Sequence, residues 1–183
     1  MDWRREDDIT DRRWMMGNPD WATPGFFFDR CVAAWGPFDL DAAASEVNSK
    51  CRKWLGPGSL LGEDAPEVDW LKAIGGENQL YPSVFVNPPY WNLAAWVSKA
   101  IEESDKGLTV VMLLPWGQWA EWMEAISGRS EMVRVVGRIK FVDPTGAART
   151  QPNGMNVVGV VRPPVEGVRW PVGFTGAEIK GTP

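Results

Sequence analysis

The chain has 183 residues, of which 44% are hydrophobic, carries a formal net charge of −5 and contains no histidine. This length and composition predict one soluble domain with a substantial core, and no apolar run is long enough to span a bilayer. Because histidine is absent and Cys31 and Cys51 lack metal-ligand spacing, the sequence argues against a metal site and a His-based triad. It predicts a cytosolic protein in which both cysteines are buried free thiols. The acidic balance argues against a protein that coats nucleic acid, but it permits DNA binding through a local basic patch.

The N-terminal third predicts an arm, a helix, a short strand and a second helix. Residues 1–20 are rich in charge and end in Gly-Asn-Pro, so we predict an N-terminal arm outside the core. The segment "TPGFFFDRCVAAW" predicts a helix in which Thr23 is the N-cap and Pro24 the first helical residue. Next, "FDLDAAA" over 38–44 predicts a short strand that runs into a turn, and "VNSKCRKWL" over 47–55 predicts a helix.

After a loop-rich stretch over 56–70, apolar strands alternate with amphipathic helices. A buried strand is predicted over 83–87, and "LTVVMLLP" over 108–115 predicts a strand buried on both faces, which is typical of a parallel sheet. The remaining predicted elements are a helix over 92–104, a helix over 117–127, and two strands over 131–141 and 156–163 that flank a long loop over 142–155.

This alternation predicts an α/β domain with a mostly parallel sheet that ends in an antiparallel pair of C-terminal strands. In such sheets, ligands bind beyond the carboxyl ends of the strands, at a switch point of the strand order. The segments "LDAAAS" and "NPPY" both lie at predicted carboxyl ends. If the two strands are neighbours, Asp41 and Asn87 face one crevice.

The turn Asn87-Pro88-Pro89-Tyr90 combines polar acceptors with a rigid backbone and an aromatic ring. An exocyclic adenine amine is a poor nucleophile because its lone pair is delocalised into the ring. Acceptors aimed at its hydrogens, here the Asn87 side-chain oxygen and the Pro88 carbonyl, would free that lone pair, and one such contact contributes about 3 kcal/mol. The prolines restrict the turn, and Tyr90 offers a face on which the base can stack. The alternative is a structural turn with no catalytic role.

The motif "NPPY" resembles the catalytic motif of S-adenosylmethionine-dependent amino-group methyltransferases, and the wider pattern resembles the phage-type DNA N6-adenine methyltransferases, the Dam-like family. The supporting pieces are "WATPGFFF", "FDLDAAASEVNSKC", "DAPEVDW", "FVNPPYWNLAAWVSKA", "VVMLLP" and "GRIKF", which span roughly residues 20–162. The resemblance implies a Rossmann-like class I methyltransferase domain over 21–164, followed by a C-terminal tail over 165–183. It also implies transfer of a methyl group from S-adenosyl-L-methionine to adenine N6 in double-stranded DNA, with the base flipped into the "NPPY" pocket. Such a phage or prophage enzyme acts in the cytoplasm of the bacterial host.

The resemblance further implies roles for individual residues, with Asn87, Pro88, Pro89 and Tyr90 as the catalytic set. The implied contacts to the methyl donor are Trp21, Thr23 and Pro24 near its methionine end; Asp41, Ala42 and Ala43 in the turn that cradles it; Asn48 and Asp64 at its ribose or methionine; and Asp69 and Trp70 at its adenine ring. The turn after Asp41 holds no Gly-x-Gly, which argues against a dinucleotide fingerprint, and a clear second strand with a ribose-binding acid is missing.

Basic and polar residues near the C-terminal strands are the candidates for DNA contact. Arg138, Lys140 and Arg149 supply positive charge that can meet phosphate, and Gln151 and Asn153 are candidates for reading base edges. A loop this long between two strands is more often functional than incidental, because hairpin connections usually need only a few residues. The alternatives are a solvated hairpin tip and DNA contact by the N-terminal arm, whose acids nearly cancel its arginines.

Two other functions fit parts of the sequence. A protein glutamine N-methyltransferase also uses "NPPY", because an amide nitrogen poses the same electronic problem, but such enzymes usually have a glycine-rich first motif and a helical substrate-binding domain. A non-catalytic methyltransferase-like subunit would only bind DNA or a partner. The intact motif argues against that role, since nothing else demands those four residues.

Overall fold

A six-stranded sheet forms the centre of the molecule. The computed structural model describes residues 21–76, 79–117, 120–150 and 154–183. In chain order the strands are β1 (Leu40–Asp41), β2 (Ser83–Val86), β3 (Thr109–Pro115), β4 (Ser130–Val136), β5 (Lys140–Val142), β6 (Ala148–Thr150), β7 (Asn156–Val161) and β8 (Gly173–Lys180). The helices are α1 (Gly25–Trp35), α2 (Trp70–Ile74), α3 (Leu93–Asp105) and α4 (Glu121–Ser127), and short 3₁₀ turns span Ala65–Glu67 and Tyr90–Asn92.

The pairing of the strands confirms the predicted α/β domain with a mostly parallel sheet. The order across the sheet is β1-β2-β3-β7-β4-β8. β1, β2 and β3 pair in parallel, as do β4 and β8, whereas β7 runs antiparallel to both of its neighbours, β3 and β4. The predicted antiparallel pair is therefore β4 and β7. Because β7 runs the other way, it begins at the edge of the sheet where β2 and β3 end.

Helices cover both faces of the sheet, which explains the unbroken apolar run of β3. Val110, Met112 and Leu114 pack in the core that includes α2, α3 and α4, and Val111 and Leu113 pack in the core that includes α1. All five side chains are fully buried. Burial of each contributes roughly 1.5–3 kcal/mol. The close-packed layers hold the strand ends in fixed positions.

The predicted start of the first helix is wrong. α1 begins at Gly25, and Pro24, in an extended conformation, occupies the N-cap position without a side-chain hydrogen bond. The Pro24 carbonyl accepts the N–H groups of Phe27 and Phe28. Thr23 therefore does not cap the helix, and it is buried beside it.

The helix predicted over 47–55 does not form. The backbone turns at Asn48, whose Oδ1 accepts the N–H of Ser45 at 2.6 Å. The chain then runs beside β1, where the Leu55 N–H donates to the Asp41 carbonyl at 2.9 Å. A polar side chain that bonds to the local backbone, together with this tertiary pairing, outweighs the helical spacing of the apolar residues.

The single strand predicted over 131–141 divides in two. Gly137 has a φ of 84°, a conformation that other residues rarely adopt, and the chain leaves the main sheet there. Beyond it, β5 and β6 pair antiparallel as a separate hairpin, so part of the loop predicted over 142–155 is strand. Gly173–Lys180, within the predicted C-terminal tail, forms β8 and pairs with β4.

The remaining helices and strands follow the predictions more closely. The elements predicted over 83–87, 92–104 and 108–115 are confirmed as β2, α3 and β3, and the helix predicted over 117–127 begins later, at Glu121. α2 begins at Trp70, the last residue of the predicted loop-rich stretch, and its other residues lie in a segment for which no element was predicted. It is a single short helix, capped by Asp69 and ended by a left-handed Gly75.

Both cysteines are free thiols, as predicted, and Cys31 is buried in the core. The predicted burial of Cys51 is wrong, because this residue is only half-buried. In the described part of the chain, no group of three or more acidic, cysteine or histidine side chains is arranged to hold a metal ion. None of the described helices is long and apolar enough to cross a membrane. The arm predicted over 1–20 lies outside the described residues.

Candidate active site

Two polar side chains meet where β1 and β2 end. The strands pair in parallel with Asp41 opposite Phe85, so their carboxyl ends lie at one edge of the sheet. Asp41 is the last residue of β1, and Asn87 follows β2 directly. Both residues line the same small pocket. The two sequence motifs therefore face one crevice.

Backbone donors hold both oxygens of the Asp41 carboxylate. The side chain is buried, and the Ala43 N–H donates to Oδ1 at 3.4 Å while the Lys50 N–H donates to Oδ2 at 3.0 Å. Burial raises the pKa of Asp41 to about 6, and these N–H groups together with the Lys50 charge offset part of that rise. The crevice thus contains a carboxyl group that titrates just below neutral pH.

The Asn87 side chain presents a buried oxygen that is not paired within the described structure. No donor in the described part of the chain lies within hydrogen-bond distance of its Oδ1. Buried polar atoms are almost always paired, and an unpaired one costs roughly 1–3 kcal/mol. The preceding strand is fully buried, and Pro89 is extended with φ −64° and ψ 136°. An oxygen kept unpaired by so rigid a turn is suited to accept a hydrogen bond from a ligand.

Tyr90, the last residue of the motif, begins the 3₁₀ turn that precedes α3, and its hydroxyl contacts β7. The Tyr90 hydroxyl accepts from Asn156 Nδ2 at 3.2 Å, and the same nitrogen donates to the Leu114 carbonyl at 3.3 Å. Tyr90 is half-buried, whereas Trp91, the next residue, is 63% exposed. The tyrosine ring is therefore tied to the ends of β3 and β7.

A cavity of about 550 Å³ opens beside Asn87. This volume is typical of pockets that hold a cofactor-sized ligand. Its lining combines apolar residues, Leu55, Ala65, Pro66 and Trp96, with exposed acidic residues, Glu63, Asp64 and Glu67. Apolar walls suit a flat ring, and carboxylates favour a ligand that carries positive charge or hydroxyl groups.

Gly56 lets one wall of this cavity approach the chain beyond β1. Its φ is 136°, and a Cβ atom at this position would lie 2.0 Å from the Ala44 carbonyl oxygen. The adjacent Ala44 N–H donates to the Leu55 carbonyl at 3.0 Å. Any side chain at Gly56 would therefore separate two segments that border the cavity.

The structure brings most of the predicted donor-binding residues to these two spaces. Ala43 and Asn87 border both, so the small pocket and the larger cavity adjoin. The other predicted residues that line one of them are Trp21, Thr23, Asp41 and Asn48 in the small pocket, and Asp64 in the cavity. Pro24 and Ala42 are buried and line neither of these two spaces.

Asp69 and Trp70, predicted to meet the adenine ring of the donor, have other contacts. Asp69 accepts the Lys72 N–H at 2.9 Å and the Lys106 ammonium at 3.2 Å, and these partners lower its pKa. Trp70 is fully buried and packs against Trp96 with ring centroids 6.4 Å apart. Because one residue caps α2 and the other anchors it in the core, neither lines the cavity. Trp70 supports the cavity only through Trp96, which does line it.

The hairpin of β5 and β6 lies next to the crevice. Ala22 joins it through two backbone hydrogen bonds with Val142, at 2.8 and 3.0 Å. The neighbours of Ala22 on either side line the small pocket. Arg138 and Lys140, two of the predicted DNA-binding residues, are exposed at the start of this hairpin. Positive charge is thus available close to the candidate active site.

The third predicted cation of the hairpin already has an acidic partner. Arg149 Nε lies 2.8 Å from Asp143 Oδ2. The Thr145 hydroxyl and Arg149 hold the pKa of Asp143 well below its usual range. The predicted base readers Gln151 and Asn153 lie outside the described residues.

Three contributors to the site are missed by sequence reasoning: Lys50, Gly56 and Asn156. Lys50 contributes a backbone N–H to Asp41, so no property of its side chain reveals the contact. Gly56 is one glycine in a loop-rich stretch. Asn156 does leave a signal, because it is an amide at the start of an apolar strand, as Asn87 is an amide at the end of one.

The chain is similar to known proteins over most of its length. Residues 16–170 match the family model described as DNA N-6-adenine-methyltransferase (Dam). A protein of Escherichia phage T1 named DNA N-6-adenine-methyltransferase is 30% identical, in an alignment that covers 87% of this chain and 72% of the phage protein. A protein of the same name from Haemophilus phage HP1 (strain HP1c1) is 28% identical, over 73% of this chain and 72% of that protein. The family match includes both strand ends of the crevice and the neighbouring hairpin.

Proposed function

Because the chain belongs to the DNA N-6-adenine-methyltransferase (Dam) family, we propose that it transfers a methyl group from S-adenosyl-L-methionine to adenine N6 in double-stranded DNA. The observation that carries this proposal is the buried Asn87 Oδ1, which is unpaired among the described residues and adjoins a cavity of about 550 Å³. The phage origin of the two relatives supports action in the cytoplasm of a bacterial host.

Asn87 Oδ1 and the Pro88 carbonyl accept the two hydrogens of the target amine. An amine nitrogen whose hydrogens are held in this way moves toward tetrahedral geometry, which makes its lone pair available for attack. Because the acceptors are fixed before the reaction, they need little reorganisation, and one such contact contributes about 3 kcal/mol. The buried β2 and the extended Pro89 supply that rigidity.

The cavity and the small pocket together bind the methyl donor. S-adenosyl-L-methionine supplies a methyl group on a positively charged sulfur, so transfer needs no general base beforehand. Carboxylates favour this charge and the donor's hydroxyl groups, and the apolar walls pack against its rings. The residues that we assign to donor binding are Trp21, Thr23, Asp41, Ala43, Asn48 and Asp64.

Tyr90 provides the stacking face once the target adenine has left the duplex. The N6 atom of a paired adenine cannot reach Asn87 inside a crevice, so the base has to rotate out at a cost of a few kcal/mol. Stacking on Tyr90 offsets roughly 1–3 kcal/mol of this cost. With 2-aminopurine at the target position, binding should raise the fluorescence, and an unchanged signal would contradict base flipping.

Incubation with labelled S-adenosyl-L-methionine and either duplex DNA or glutamine-containing protein tests the proposal. We expect the label on adenine N6 and none on protein. Asn87→Asp keeps an acceptor oxygen in place, so it should retain part of the activity that Asn87→Ala loses. Label on protein alone, or no label on DNA while the donor is bound, would contradict the proposed function.

A further inference from the structure

Asn156 lies at the catalytic edge of the sheet because of the direction of its strand. It is the first residue of β7 and stands opposite Pro115, the last residue of the antiparallel β3. The residue is buried, with an exposed fraction of only 4%. No step of the proposed reaction uses this buried amide.

The contacts of the Asn156 amide fix its orientation. Its Nδ2 lies 3.3 Å from the Leu114 carbonyl oxygen and 3.2 Å from the Tyr90 hydroxyl oxygen. A carbonyl oxygen can only accept, so the amide nitrogen has to face Leu114, and its second hydrogen is left for Tyr90. Leu114 is fully buried in β3 and forms a fixed anchor. A rigid part of the sheet therefore holds the tip of the tyrosine ring.

We propose that Asn156 is a positioning residue, which holds the Tyr90 ring in the orientation on which the target base stacks. This inference rests on the proposed function. Tyr90 belongs to a short 3₁₀ turn, and stacking requires one orientation of its ring. Without the amide, the ring would adopt that orientation less often, so turnover would fall. Donor binding would stay the same, because Asn156 lines neither the small pocket nor the cavity beside Asn87.

Asn156 also connects the stacking ring to the segment that leads from the β5–β6 hairpin. The Met155 carbonyl accepts the Trp116 N–H at 3.0 Å, which fixes the chain just before Asn156 to the end of β3. Met155 itself is 55% exposed. An exposed position, on the side from which DNA contacts are expected, therefore directly precedes the buried amide that meets Tyr90.

A double-mutant cycle on Tyr90 and Asn156 tests this inference. Tyr90→Phe keeps the ring and removes the hydroxyl, and Asn156→Leu keeps the branching of the side chain and removes the donor group. Each variant should lower kcat about three- to tenfold, the range for one hydrogen bond, with unchanged donor affinity. When Asn156→Leu is added to Tyr90→Phe, the further loss of kcat should be smaller than about twofold. Full kcat in Tyr90→Phe, or equal losses in both backgrounds, would overturn the inference.

Fluorescence of 2-aminopurine in the bound complex separates positioning from stability. A flipped base is brighter than a base in the duplex, and stacking on an ordered ring quenches it only in part. Both single variants should therefore raise the fluorescence above that of the wild-type complex, and an unchanged signal in both would overturn the inference. Ser130→Ala is the control, because it also removes a buried hydrogen bond, the one of 2.8 Å to the Ile126 carbonyl. Ser130 stands opposite Val161, the last residue of β7, and so lies at the far end of that strand from Asn156. This variant should change neither kcat nor fluorescence.

The wild-type enzyme separates failure of this inference from failure of the proposed function. If the wild type does not methylate adenine in DNA, the proposed function falls, and the inference falls with it. If the wild type is active and the two variants act independently, only the inference falls. Should Asn156→Leu not fold, Asn156→Ala, which also removes the donor group and adds no bulk, takes its place in the cycle.

Discussion

Asp41 and Asn87 end neighbouring strands of one sheet, but their side-chain oxygens have different surroundings. Both oxygens of Asp41 accept backbone N–H groups, from Ala43 and Lys50. The oxygen of Asn87 is also buried, yet it is unpaired within the described structure. A paired oxygen holds the local chain in place, whereas an unpaired one can gain a hydrogen bond when a ligand arrives. In the proposed reaction, this comparison separates a residue that shapes the site, Asp41, from one that acts on the target base, Asn87.

This difference predicts opposite effects on stability. Replacement of Asp41 leaves backbone donors without their acceptor, whereas truncation of Asn87 removes a buried atom that is already unpaired. When a residue serves function at a cost in stability, its truncation leaves the free energy of unfolding unchanged or raises it. Measurements of stability and turnover after substitution of Asp41 and of Asn87 therefore test whether the two residues differ in this way.

Asn87→Ala should have the largest effect on the reaction. We expect turnover to fall about 10²–10³-fold, because the variant loses an acceptor that acts on the target amine. Donor affinity should stay within about twofold of the wild type, and the free energy of unfolding should be unchanged or slightly higher. Single-turnover kinetics, donor titration and denaturant unfolding measure the three quantities. A donor affinity that falls as much as turnover would make Asn87 a donor-binding residue.

Asp41→Asn should show the reverse pattern. The amide nitrogen has to face the N–H of either Ala43 or Lys50, so one backbone donor loses its acceptor. At about pH 5, where the wild-type carboxyl is mostly neutral, the free energy of unfolding should fall by about 1–3 kcal/mol. At higher pH the loss should be smaller, because the wild type then carries a buried charge that the variant lacks. Donor binding at about pH 7 should weaken. Turnover at saturating donor should change less than in Asn87→Ala. A variant with wild-type stability would show that the two backbone hydrogen bonds contribute little.

The parts of the site that lie in one short segment are predictable from the sequence. Asn87 and Tyr90 follow a buried strand within a few residues, and the prolines between them are visible directly. Asp41 is predictable for the same reason, since it ends an apolar strand. The structure brings these two strand ends to one edge because parallel neighbours end on the same side.

The partners of these residues are not predictable, because the sheet order brings them together. Asn156 is separated from Tyr90 by 66 positions and meets it only because β7 runs antiparallel to β3. The segment over 47–55 has helical spacing, but its pairing with β1 is a tertiary contact that spacing cannot reveal. Asp69 and Trp70 fit a motif by position, but their contacts in the structure, the capping of α2 by Asp69 and the packing of Trp70 against Trp96, depend on the tertiary fold.

The contrast between paired and unpaired groups extends to the cations of the hairpin. Arg149 already pairs with Asp143, whereas Arg138 has no ion pair among the described residues. Arg138→Ala should weaken binding to all DNA sequences and lower the slope of log affinity against log salt by about one. Arg149→Ala should change the slope less, because Asp143 offsets part of the charge.

Anisotropy titrations of a labelled duplex over a series of salt concentrations measure both slopes. Equal changes in the two variants would show that the ion pair of Arg149 opens on DNA. Unchanged slopes in both would move the phosphate contacts away from this hairpin, to a region such as the predicted arm over 1–20.

The pH dependence of stability again distinguishes Asp41 from Asn87. Burial raises the pKa of Asp41 from 3.8 to about 6. Between these values the folded protein keeps a proton that the unfolded chain has released, so a rise in pH through this window lowers the free energy of unfolding. Asn87 does not titrate, so Asn87→Ala should keep this dependence and Asp41→Asn should lose it.

Donor affinity should change with pH in the opposite direction. The ionised Asp41 carboxylate attracts a positively charged donor, and the neutral form does not. With a pKa of about 6, the ionised fraction falls about fourfold from about pH 7 to about pH 5.5, so the donor Kd should rise about fourfold. Calorimetric titrations of the wild type and of Asp41→Asn over this range measure the change, which should be absent in the variant. A wild-type affinity independent of pH would remove Asp41 from the donor site and leave it as a structural partner of Ala43 and Lys50.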